Sequence, residues 1–389
     1  MPPRRRPTGR PRRVAIVMNL EHALKRHQEV FAGAYRYARQ RGWQVDTMPF
    51  SEQILAAGRG HRGYDGIIAR ADRRLTSFAR SAGVPLVNVW YSSPVRNLPL
   101  VHVDHDRVGA MAAEHLRARG FRRFAFVGYG SVRASLDLEK AFRDALGDAA
   151  VSFHRFVTGL NFTHSPDIFS RFERSLWSWL DTLRRPVGIF VADDGLARHL
   201  VNAAIVRGID VPGELAVVGV FNDEPFCLLS EPTLSSIDYG FDRVGYRAAR
   251  LLDELMDGKS APALPVVLPP KELIPRDSTD VFASDDELVA RALRFISDNC
   301  HKPINVTDVV QKLRVCGRTL ARRFKKARGC RPIDELVGMR ITRAKRLLQE
   351  GDASIKQVAE QCGFSSGSQF ILAFRRLEKM TPGDYRERA

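Results

Sequence analysis

IKQVAEQCGFSSGSQFILAFRRLEKMTPGDYRER, residues 355–388, contains two helical patterns with a short joint between them. The first pattern is an apolar stripe at helical spacing, made of Ile355, Val358, Ala359 and Cys362. At the joint, Gly363 can adopt the left-handed conformation that ends a helix, Phe364 follows it as an apolar plug, and Ser365 or Ser366 can cap the next helix. The second stripe consists of Phe370, Phe374 and Leu377, and Pro382 closes the unit. This layout is typical of a helix-turn-helix unit.

The same pattern occurs a second time, earlier in the chain. Val306, Val309, Val310, Leu313 and Val315 correspond to Ile355, Val358, Ala359, Cys362 and Phe364 at an offset of 49, and Leu320, Phe324 and Pro332 correspond to Phe370, Phe374 and Pro382 at an offset of 50. The segment Asp334–Gln349 has apolar residues at helical spacing, which predicts a connecting helix. One copy alone could be any small helical hairpin, whereas two copies with basic second helices indicate a paired unit.

The net charge of +17 is unevenly distributed along the 389 residues. Residues 1–13 hold six arginines and no acidic residue, and residues 285–389 hold 22 Lys and Arg against 13 Asp and Glu, a net +9. The remaining 33 basic and 31 acidic residues leave the long middle at +2. Clustered positive charge favours polyanions such as DNA. We therefore expect a nearly neutral body between a basic arm and a basic C-terminal domain.

The C-terminal region resembles the DNA-binding domain of AraC/XylS-type transcription regulators. The resemblance rests on RTLARRFKKARG, RITRAKRLLQ and SIKQVAEQCGFSSGSQFILAFRR…TPGDYR, within residues 305–388. It implies two helix-turn-helix units that read successive major-groove segments of double-stranded DNA. In the first unit it places Gly317, Arg318, Ala321 and Arg322 at the bases and Arg323 at phosphates or solvent. In the second unit it places Ser366, Gly367, Ser368, Gln369 and Leu372 in the groove.

Two positions depart from the pattern of that family. Cys316 stands where a serine usually caps the first reading helix, and Lys379 replaces a common glycine before the final Thr-Pro. Both put the local geometry in doubt without affecting the expected fold. Arg318 and Arg322 are the strongest candidates for base contacts, because a guanidinium can bond guanine in bidentate fashion. The second reading helix offers fewer strong hydrogen-bonding side chains, so we expect it to read sequence less sharply.

From residue 14 the pattern is a strand followed by a helix, repeated several times. VAIVMN, GYDGIIAR, VPLVNVW, FRRFAFVGY, GIFVADDG and ELAVVGVFND are short apolar strand patterns between amphipathic helices. This alternation predicts a doubly wound parallel α/β fold, in which ligands bind at the carboxyl ends of the strands. The expected fold class is thus an α/β sensor followed by an all-α domain with two helix-turn-helix motifs.

Three longer stretches make residues 14–279 similar to LacI/GalR-type sensors, which share the periplasmic-binding-protein fold. These stretches are VDHDRVGAMAAEHLRARGFRRFAFVG, VGIFVADDGLARHLVNAAIVRGIDVPGELAVVGVFND and PTLSSIDYGFDRVGYRAARLLDEL. The resemblance implies two lobes, 14–120 with 236–261 and 121–235 with 262–279, that close on a ligand. Residues 280–286 would be the linker to a DNA-binding domain at 287–389. The order of the domains is that of bacterial xylose-operon activators, which implies a pentose as the effector.

Polar and aromatic side chains at the strand ends are the candidate sugar ligands. They are Asn19, Arg70, Trp90 and Tyr91 in one lobe and Tyr129, Arg133, Asp193, Asp194, Asn222 and Asp223 in the other. Sensors of this type usually carry an aspartate directly before Asn222, where this chain has Phe221. Asp223 could substitute for it, but the effector could also be a different sugar, a less polar metabolite, or absent.

Other signals do not favour an enzyme. The histidines lack a metal-ligand spacing, and the sequence has no GxSxG elbow and no phosphate-binding loop of the P-loop type, so we expect no metal, cofactor or catalysis. Asp104 or Asp106 is expected to cap a helix near Arg107. The five scattered cysteines fit reduced, mostly packed thiols. The arm RPTGRPRR could either be solvated or enter a minor groove.

We therefore expect a ligand-responsive transcription regulator that binds double-stranded DNA as a homodimer and activates sugar-utilisation genes. An activator would also contact RNA polymerase. The N-terminus does not resemble a secretory signal, and no apolar run is long enough to span a membrane, so we expect a cytoplasmic protein. Two alternatives remain at this point: a constitutive DNA-binding regulator whose sensor has lost its ligand, and a sugar-binding module of transport or chemotaxis.

Overall fold

A computed structural model describes most of the chain in two parts, an α/β part and a helical part. The described residues are 10–20, 25–48, 63–159, 165–281, 284, 286–350 and 353–388. Residues 1–9 of the basic arm and residues 282, 283 and 285 of the expected linker lie outside this range. Within it, no helix is both long and apolar enough to cross a membrane.

The first lobe is built on a parallel sheet of four strands in the order β2-β1-β3-β4. The strands are β1 (Arg13–Val17), β2 (Gln44–Met48), β3 (Gly66–Ala69) and β4 (Leu86–Asn88). β3 and β4 are buried on both faces, as parallel strands covered by helices should be. The covering helices are α1 (Lys25–Arg41), α2 (Arg73–Ser81) and α8 (Phe241–Met256). A bridge from Asn88 to Leu100 continues this layer to β5 (Val101–Val103), which pairs in parallel with β11 (Val266–Leu268).

The second lobe is built on a six-stranded sheet in the order β12-β10-β9-β8-β6-β7. Its strands are β6 (Arg123–Tyr129), β7 (Ser152–Thr158), β8 (Val187–Val191), β9 (Leu215–Val220), β10 (Ser235–Asp238) and the antiparallel edge strand β12 (Glu272–Ile274). Its helices are α3 (His105–Ala118), α4 (Arg133–Leu146), α5 (Pro166–Asp181), α6 (Asp194–Val206) and the short α7 (Glu224–Leu228). The Asp104 carboxylate accepts the Arg107 N–H at 3.0 Å, so the expected cap of α3 is confirmed.

The expected boundaries of the two lobes are wrong in three places. The helix α3 packs along α4 and contacts β10, so residues 105–118 lie with the second lobe and not the first. β10 pairs with β9 in the second sheet, whereas β11 pairs with β5 of the first lobe. The chain therefore crosses between the lobes near Asp104, again between β10 and α8, and a third time between β11 and β12.

The described end of the basic arm is bound to the first lobe. Arg12 donates to the Asp253 and Asp257 carboxylates at 2.6 and 2.5 Å, and Arg13 begins β1 and pairs with Asp46 at 2.6 Å. Asp253 is buried, and it also accepts the Tyr37 hydroxyl at 2.9 Å. The prediction of a flexible basic arm over residues 1–13 therefore does not hold for Arg12 and Arg13, and a DNA contact of the arm stays a prediction.

The C-terminal part consists of seven helices in the described residues. They are α9 (Glu287–Asn299), α10 (Val306–Leu313), α11 (Gly317–Arg328), α12 (Pro332–Glu350), α13 (Ile355–Gln361), α14 (Gly367–Glu378) and α15 (Pro382–Arg388). The pairs α10–α11 and α13–α14 are the two expected helix-turn-helix units, and α12 is the connecting helix. Both units begin with a capping box, Asn305 with Asp308 and Ser354 with Gln357.

Each unit has its own small apolar core. Val309, Leu320 and Phe324 are fully buried in the first, and Val358, Phe370 and Phe374 in the second. Arg340 of α12 joins them, because its guanidinium donates to the carbonyls of Cys300, Lys302 and Ile304 at 2.8 to 2.9 Å and lies 5.6 Å from the Phe364 ring centroid.

Candidate functional site

A cavity of about 720 Å³ lies between the two lobes at the carboxyl ends of their strands. Such an edge is where open α/β sheets bind ligands. Eight of the ten predicted ligand residues line this cleft: Arg70, Trp90, Tyr91, Tyr129, Arg133, Asp193, Asp194 and Asp223. Asn19 and Asn222 do not line it. Side chains from both lobes thus line one cleft, in agreement with the prediction that residues at the carboxyl ends of the strands meet at one site.

Asn222 is a structural residue rather than a cleft ligand. Its side-chain oxygen accepts from Arg276 at 2.7 Å, its backbone N–H donates to Ser236 at 3.0 Å, and its carbonyl accepts the Lys25 ammonium at 3.0 Å. The residue is buried with a φ of +51°, a left-handed conformation that asparagine tolerates better than most residues. The backbone carbonyl of Asn19 in turn faces the Nδ1 atom of His27 at 2.9 Å.

Asp194 reaches the cleft, but its carboxyl group is already bonded within the protein. One oxygen accepts the Asp223 backbone N–H at 2.8 Å and the other accepts the Ser236 hydroxyl at 2.7 Å. Burial raises the pKa of Asp194 to about 8 despite these bonds. The group is therefore protonated over most of the neutral range, and its main effect is to hold the loop after β9 in place.

Three buried polar atoms on the cleft wall have no hydrogen-bond partner within the described residues. They are Asp223 Oδ1, the Tyr239 hydroxyl and His105 Nδ1. Burial raises the pKa of Asp223 and lowers that of His105 to about 4, so the imidazole is neutral at physiological pH. A buried polar atom without a partner costs about 1–3 kcal/mol, and such atoms in a cleft indicate a hydroxyl-rich ligand.

Phe221, which replaces the expected aspartate, belongs to an aromatic wall of the cleft. Its ring centroid lies 4.9 Å from that of Tyr239, 5.6 Å from that of Phe241 and 5.4 Å from the Arg26 guanidinium carbon. Such a wall offers an apolar face to the C–H surface of a sugar ring. The cleft stays open beside it, so the substitution changes its chemistry without filling it.

Tyr91 and Arg133 line the cleft, and both contact Asp137 on α4. The Tyr91 hydroxyl donates to Asp137 at 2.6 Å, the Arg133 guanidinium carbon lies 4.4 Å from the Tyr91 ring centroid, and Arg133 Nε is 3.6 Å from the same carboxylate. Tyr91 also packs against His105, with the ring centroids 4.4 Å apart and the rings tilted by 38°. Tyr91 belongs to the first lobe and Arg133 to the second, so this contact joins the two lobes across the cleft.

Tyr129 and Asp193 meet at the ends of neighbouring strands. The Tyr129 hydroxyl donates to one Asp193 oxygen, and the other accepts the Leu196 N–H at 2.7 Å and so caps α6. Burial, followed by the charge of Asp193, raises the pKa of Tyr129 and keeps the phenol protonated.

Several cleft residues were not predicted from the sequence, chiefly Arg26, His27, His105 and Tyr239. Tyr239 directly follows β10 in SSIDYG, so the rule of strand ends could have found it. Arg26 and His27 lie in the first turn of α1, where no local pattern marks a ligand. Their position depends on how α1 packs over the sheet.

The first reading helix, α11, exposes the residues predicted to face DNA. Gly317, Arg318, Ala321 and Arg322 are exposed, and the two arginines lie four residues apart on one face. Arg323 is different, because its guanidinium donates to both carboxylate oxygens of Asp286 at 2.6 and 2.7 Å. In this structure Arg323 is bound to the residue that caps α9, and its contact with a DNA phosphate stays a prediction.

The second reading helix, α14, presents a less charged surface. Ser366 caps it by accepting the Gln369 N–H at 3.3 Å, and the Gln369 side chain accepts the Ser365 hydroxyl at 2.6 Å. Ser368 and Gln369 are exposed, Gly367 is half-buried, and Leu372 is 70% exposed despite being apolar. An exposed leucine on a reading helix fits contact with a thymine methyl group.

Comparison with known proteins agrees with both halves of this description. Residues 113–279 match the model of a periplasmic binding protein-like domain, and residues 309–388 match that of a helix-turn-helix domain. The fold and its two sites define a ligand-responsive transcription regulator with an AraC-type DNA-binding domain.

Relatives over nearly the whole chain identify the family. A xylose operon regulatory protein of Haemophilus influenzae is 30% identical over 96% of this chain and 98% of its own length, and that of Escherichia coli K12 is 29% identical over 96% and 97%. The solved structure of a xylose-binding transcription activator covers 97% of this chain and 98% of its own, with 26% identity and a TM-score of 0.62. The chain belongs to the family of the xylose operon regulatory proteins.

Proposed function

We propose that this protein activates sugar-utilisation genes in response to a carbohydrate, with xylose or a related pentose as the first candidate. The observation that carries the proposal is the set of buried, partnerless atoms Asp223 Oδ1, Tyr239 Oη and His105 Nδ1 beside an aromatic wall. A sugar supplies both hydroxyls for these atoms and a C–H face for the wall. The names of the relatives support xylose as the first compound to test.

The linker between the domains is anchored at both of its described ends, and we propose that it transmits the signal. Arg119 Nε donates to the Thr279 carbonyl at 2.5 Å, and Val281 is buried in the sensor core. At the other end Asp286 pairs with Arg323 of the first reading helix. Movement of the lobes on ligand binding would therefore displace α9 and α11 together. A sugar shifts this equilibrium only to the extent that it binds one state more tightly.

In this mechanism two copies of the chain act together, as a homodimer whose reading helices span a longer DNA site. The sugar-bound state would set their spacing and present the activator to RNA polymerase. We further propose that Arg318 and Arg322 read bases while the second unit contributes mainly positioning and apolar contacts. The sensor ends near Val281, and the DNA-binding domain begins with the cap of α9.

Calorimetry of the full chain with D-xylose and L-arabinose tests the sensor directly. Asp223→Asn should weaken sugar binding about tenfold, because the neutral amide replaces a charged acceptor. Asp144→Asn, on an exposed carboxylate of α4 outside the cleft, is the matched control and should leave the affinity unchanged. Selection of bound genomic fragments with and without each sugar tests the DNA-binding half.

A second candidate, a constitutive regulator, is favoured by a single observation, namely Phe221 in place of the expected aspartate. It predicts that no sugar binds and that DNA affinity is the same with and without every sugar tested. The open cleft argues against it, because a sensor without a ligand has no need for buried polar atoms that lack partners.

A further inference from the structure

Arg70 carries an uncompensated charge in the wall of the cleft. It directly follows β3, its guanidinium carbon lies 5.0 Å from the Trp90 ring centroid, and its Nη1 atom contacts His27 Nε2. His27 Nδ1 faces the Asn19 carbonyl, which can only accept, so Nδ1 carries the hydrogen. The Nε2 atom is then the acceptor from Arg70. His27 is therefore neutral and holds the guanidinium in place without offsetting its charge.

No carboxylate compensates Arg70 within the described residues. It makes no ion pair there, and the neighbouring charge that acts on it is another cation, Arg26. Burial, followed by this repulsion, lowers the pKa of Arg70 to about 10, so it stays charged at neutral pH. Two guanidinium groups thus share one half-buried region, an arrangement that is unfavourable until an anion lies near them.

The acidic groups of the cleft are engaged elsewhere. Asp193 and Asp223 act on Arg26, and Asp193 is also bonded to Tyr129 and to the N-terminus of α6. Asp194 is bonded to the loop after β9 and protonated, and Asp137 lies beside Arg133 and Tyr91. None of these four carboxyl groups therefore pairs with Arg70.

We infer that the effector is an acidic sugar, a carbohydrate whose carboxylate or other oxyanion binds beside Arg70. This inference rests on the proposed function, since it specifies the ligand of the same cleft. A guanidinium fixed by an imidazole and a tryptophan ring is preorganised for an oxyanion, and charge-assisted bonds of this kind are the strong ones. The sugar hydroxyls would bind Asp223 and Tyr239. Because Arg70 belongs to the first lobe and Asp223 to the second, such a ligand would favour the closed cleft.

A series of matched sugars separates charge from shape. D-Xylose, D-glucose and D-glucuronate share one pyranose ring and differ only in the substituent at its fifth carbon, which is hydrogen, hydroxymethyl or carboxylate. Glucose 6-phosphate adds the phosphate as the alternative oxyanion. Calorimetry of the full chain should give an affinity for one of the two acids about tenfold or more above that for glucose. This preference should weaken as salt is added.

Substitution of Arg70 shows whether the preference depends on that residue. Arg70→Gln should remove the preference for the acid and leave the affinity for a neutral sugar within about threefold, while Arg70→Lys should retain part of it. Arg80→Gln, on an exposed arginine of α2 outside the cleft, is the control and should keep the preference. Unchanged DNA binding without sugar verifies that each variant is folded.

Two results would overturn the inference. If xylose or glucose binds as tightly as both acids, the effector is a neutral sugar, and the proposed function stands while the acidic ligand does not. If no sugar of either kind binds, the proposed sugar response fails together with it.

Discussion

The two helix-turn-helix units have the same backbone geometry. They place different residues at the positions where that geometry requires a left-handed conformation or a helix cap. At the turn, Arg314 has a φ of +54° and its counterpart Gly363 has +74°. At the start of the reading helix, Cys316 makes no side-chain cap bond, whereas Ser366 does. At the end of the reading helix the roles reverse, with Gly329 at +73° and Lys379 at +61°.

This comparison separates what the fold requires from what each unit can tolerate. The left-handed conformation is needed at all four turn and end positions, and two are filled by residues for which it costs about 1 kcal/mol or more. The reading faces differ in the same way, since Arg318 and Arg322 correspond to Ser368 and Leu372. The first unit thus has the more positively charged reading face, and the second has the better-capped reading helix.

The largest effect is expected at Gly363. A Cβ atom there would lie 2.3 Å from the Lys302 carbonyl oxygen and 2.6 Å from that of Cys300, both held by Arg340. Together with the positive φ, this clash should make Gly363→Ala cost about 3 kcal/mol. Hydrogen exchange of the α13 and α14 amides in the full chain measures the loss as weaker protection.

Arg314→Gly is the matched substitution in the first unit. It relieves the left-handed strain instead of creating a clash, so α10 and α11 should be unchanged or more protected. If Gly363→Ala and Arg314→Gly change protection by similar small amounts, the tight packing around Gly363 does not limit stability.

The next largest effects are expected for substitutions on the two reading faces. Arg318→Ala should cost about 1–3 kcal/mol of DNA-binding free energy and relax the preference at one base pair, because it removes a bidentate donor. At the second unit, Leu372→Ala should cost less than about 1 kcal/mol, the loss of a methyl contact. Binding of a selected fragment library to each variant gives both numbers. Equal weakening of every sequence by Arg318→Ala would assign that residue to phosphate.

Local patterns predicted most of the fold, because apolar spacing, caps and glycines act over a few residues. Gly363, Ser366 and the duplicated stripes are examples, and so are the eight strand-end residues that line the cleft. The exchange of β10 and β11 between the lobes could not be foreseen, since a strand of three or four residues has too short a pattern to assign it to one sheet or the other.

Contacts between distant segments account for the other features that the sequence did not reveal. The pair formed by Asp286 and Arg323 joins residues 37 positions apart, and Arg12 reaches Asp253 across the first lobe. Nothing in the sequence around Arg12 or Arg323 distinguishes them from the other basic residues. Arg26 and His27 likewise line the cleft because α1 packs over the sheet, and no local motif marks them.

The end of the second reading helix offers a gain in stability. Lys379→Gly should stabilise the domain by about 1 kcal/mol, since glycine adopts a φ of +61° without strain. The bond from Lys379 Nζ to the Arg376 carbonyl, 3.0 Å long and exposed, offsets little of this gain. Amide protection of α14 should rise. The reverse change in the first unit, Gly329→Lys, should lower the protection of α11 by a similar amount, and opposite signs in the two units are the result to check.

The smallest expected effect lies at the cap of the first reading helix. Cys316 has the extended backbone of a capping residue, with φ −73° and ψ 136°, but a thiol is a weak acceptor for the N–H groups of the first turn. Cys316→Ser should therefore add about 0.5–1 kcal/mol and raise the protection of the first amides of α11. Ser366→Cys is the mirror experiment and should lower protection at the start of α14. Because the side chain of Cys316 is exposed, packing should not change with it. A loss of protection in Cys316→Ser would mean that the thiol already serves as the cap.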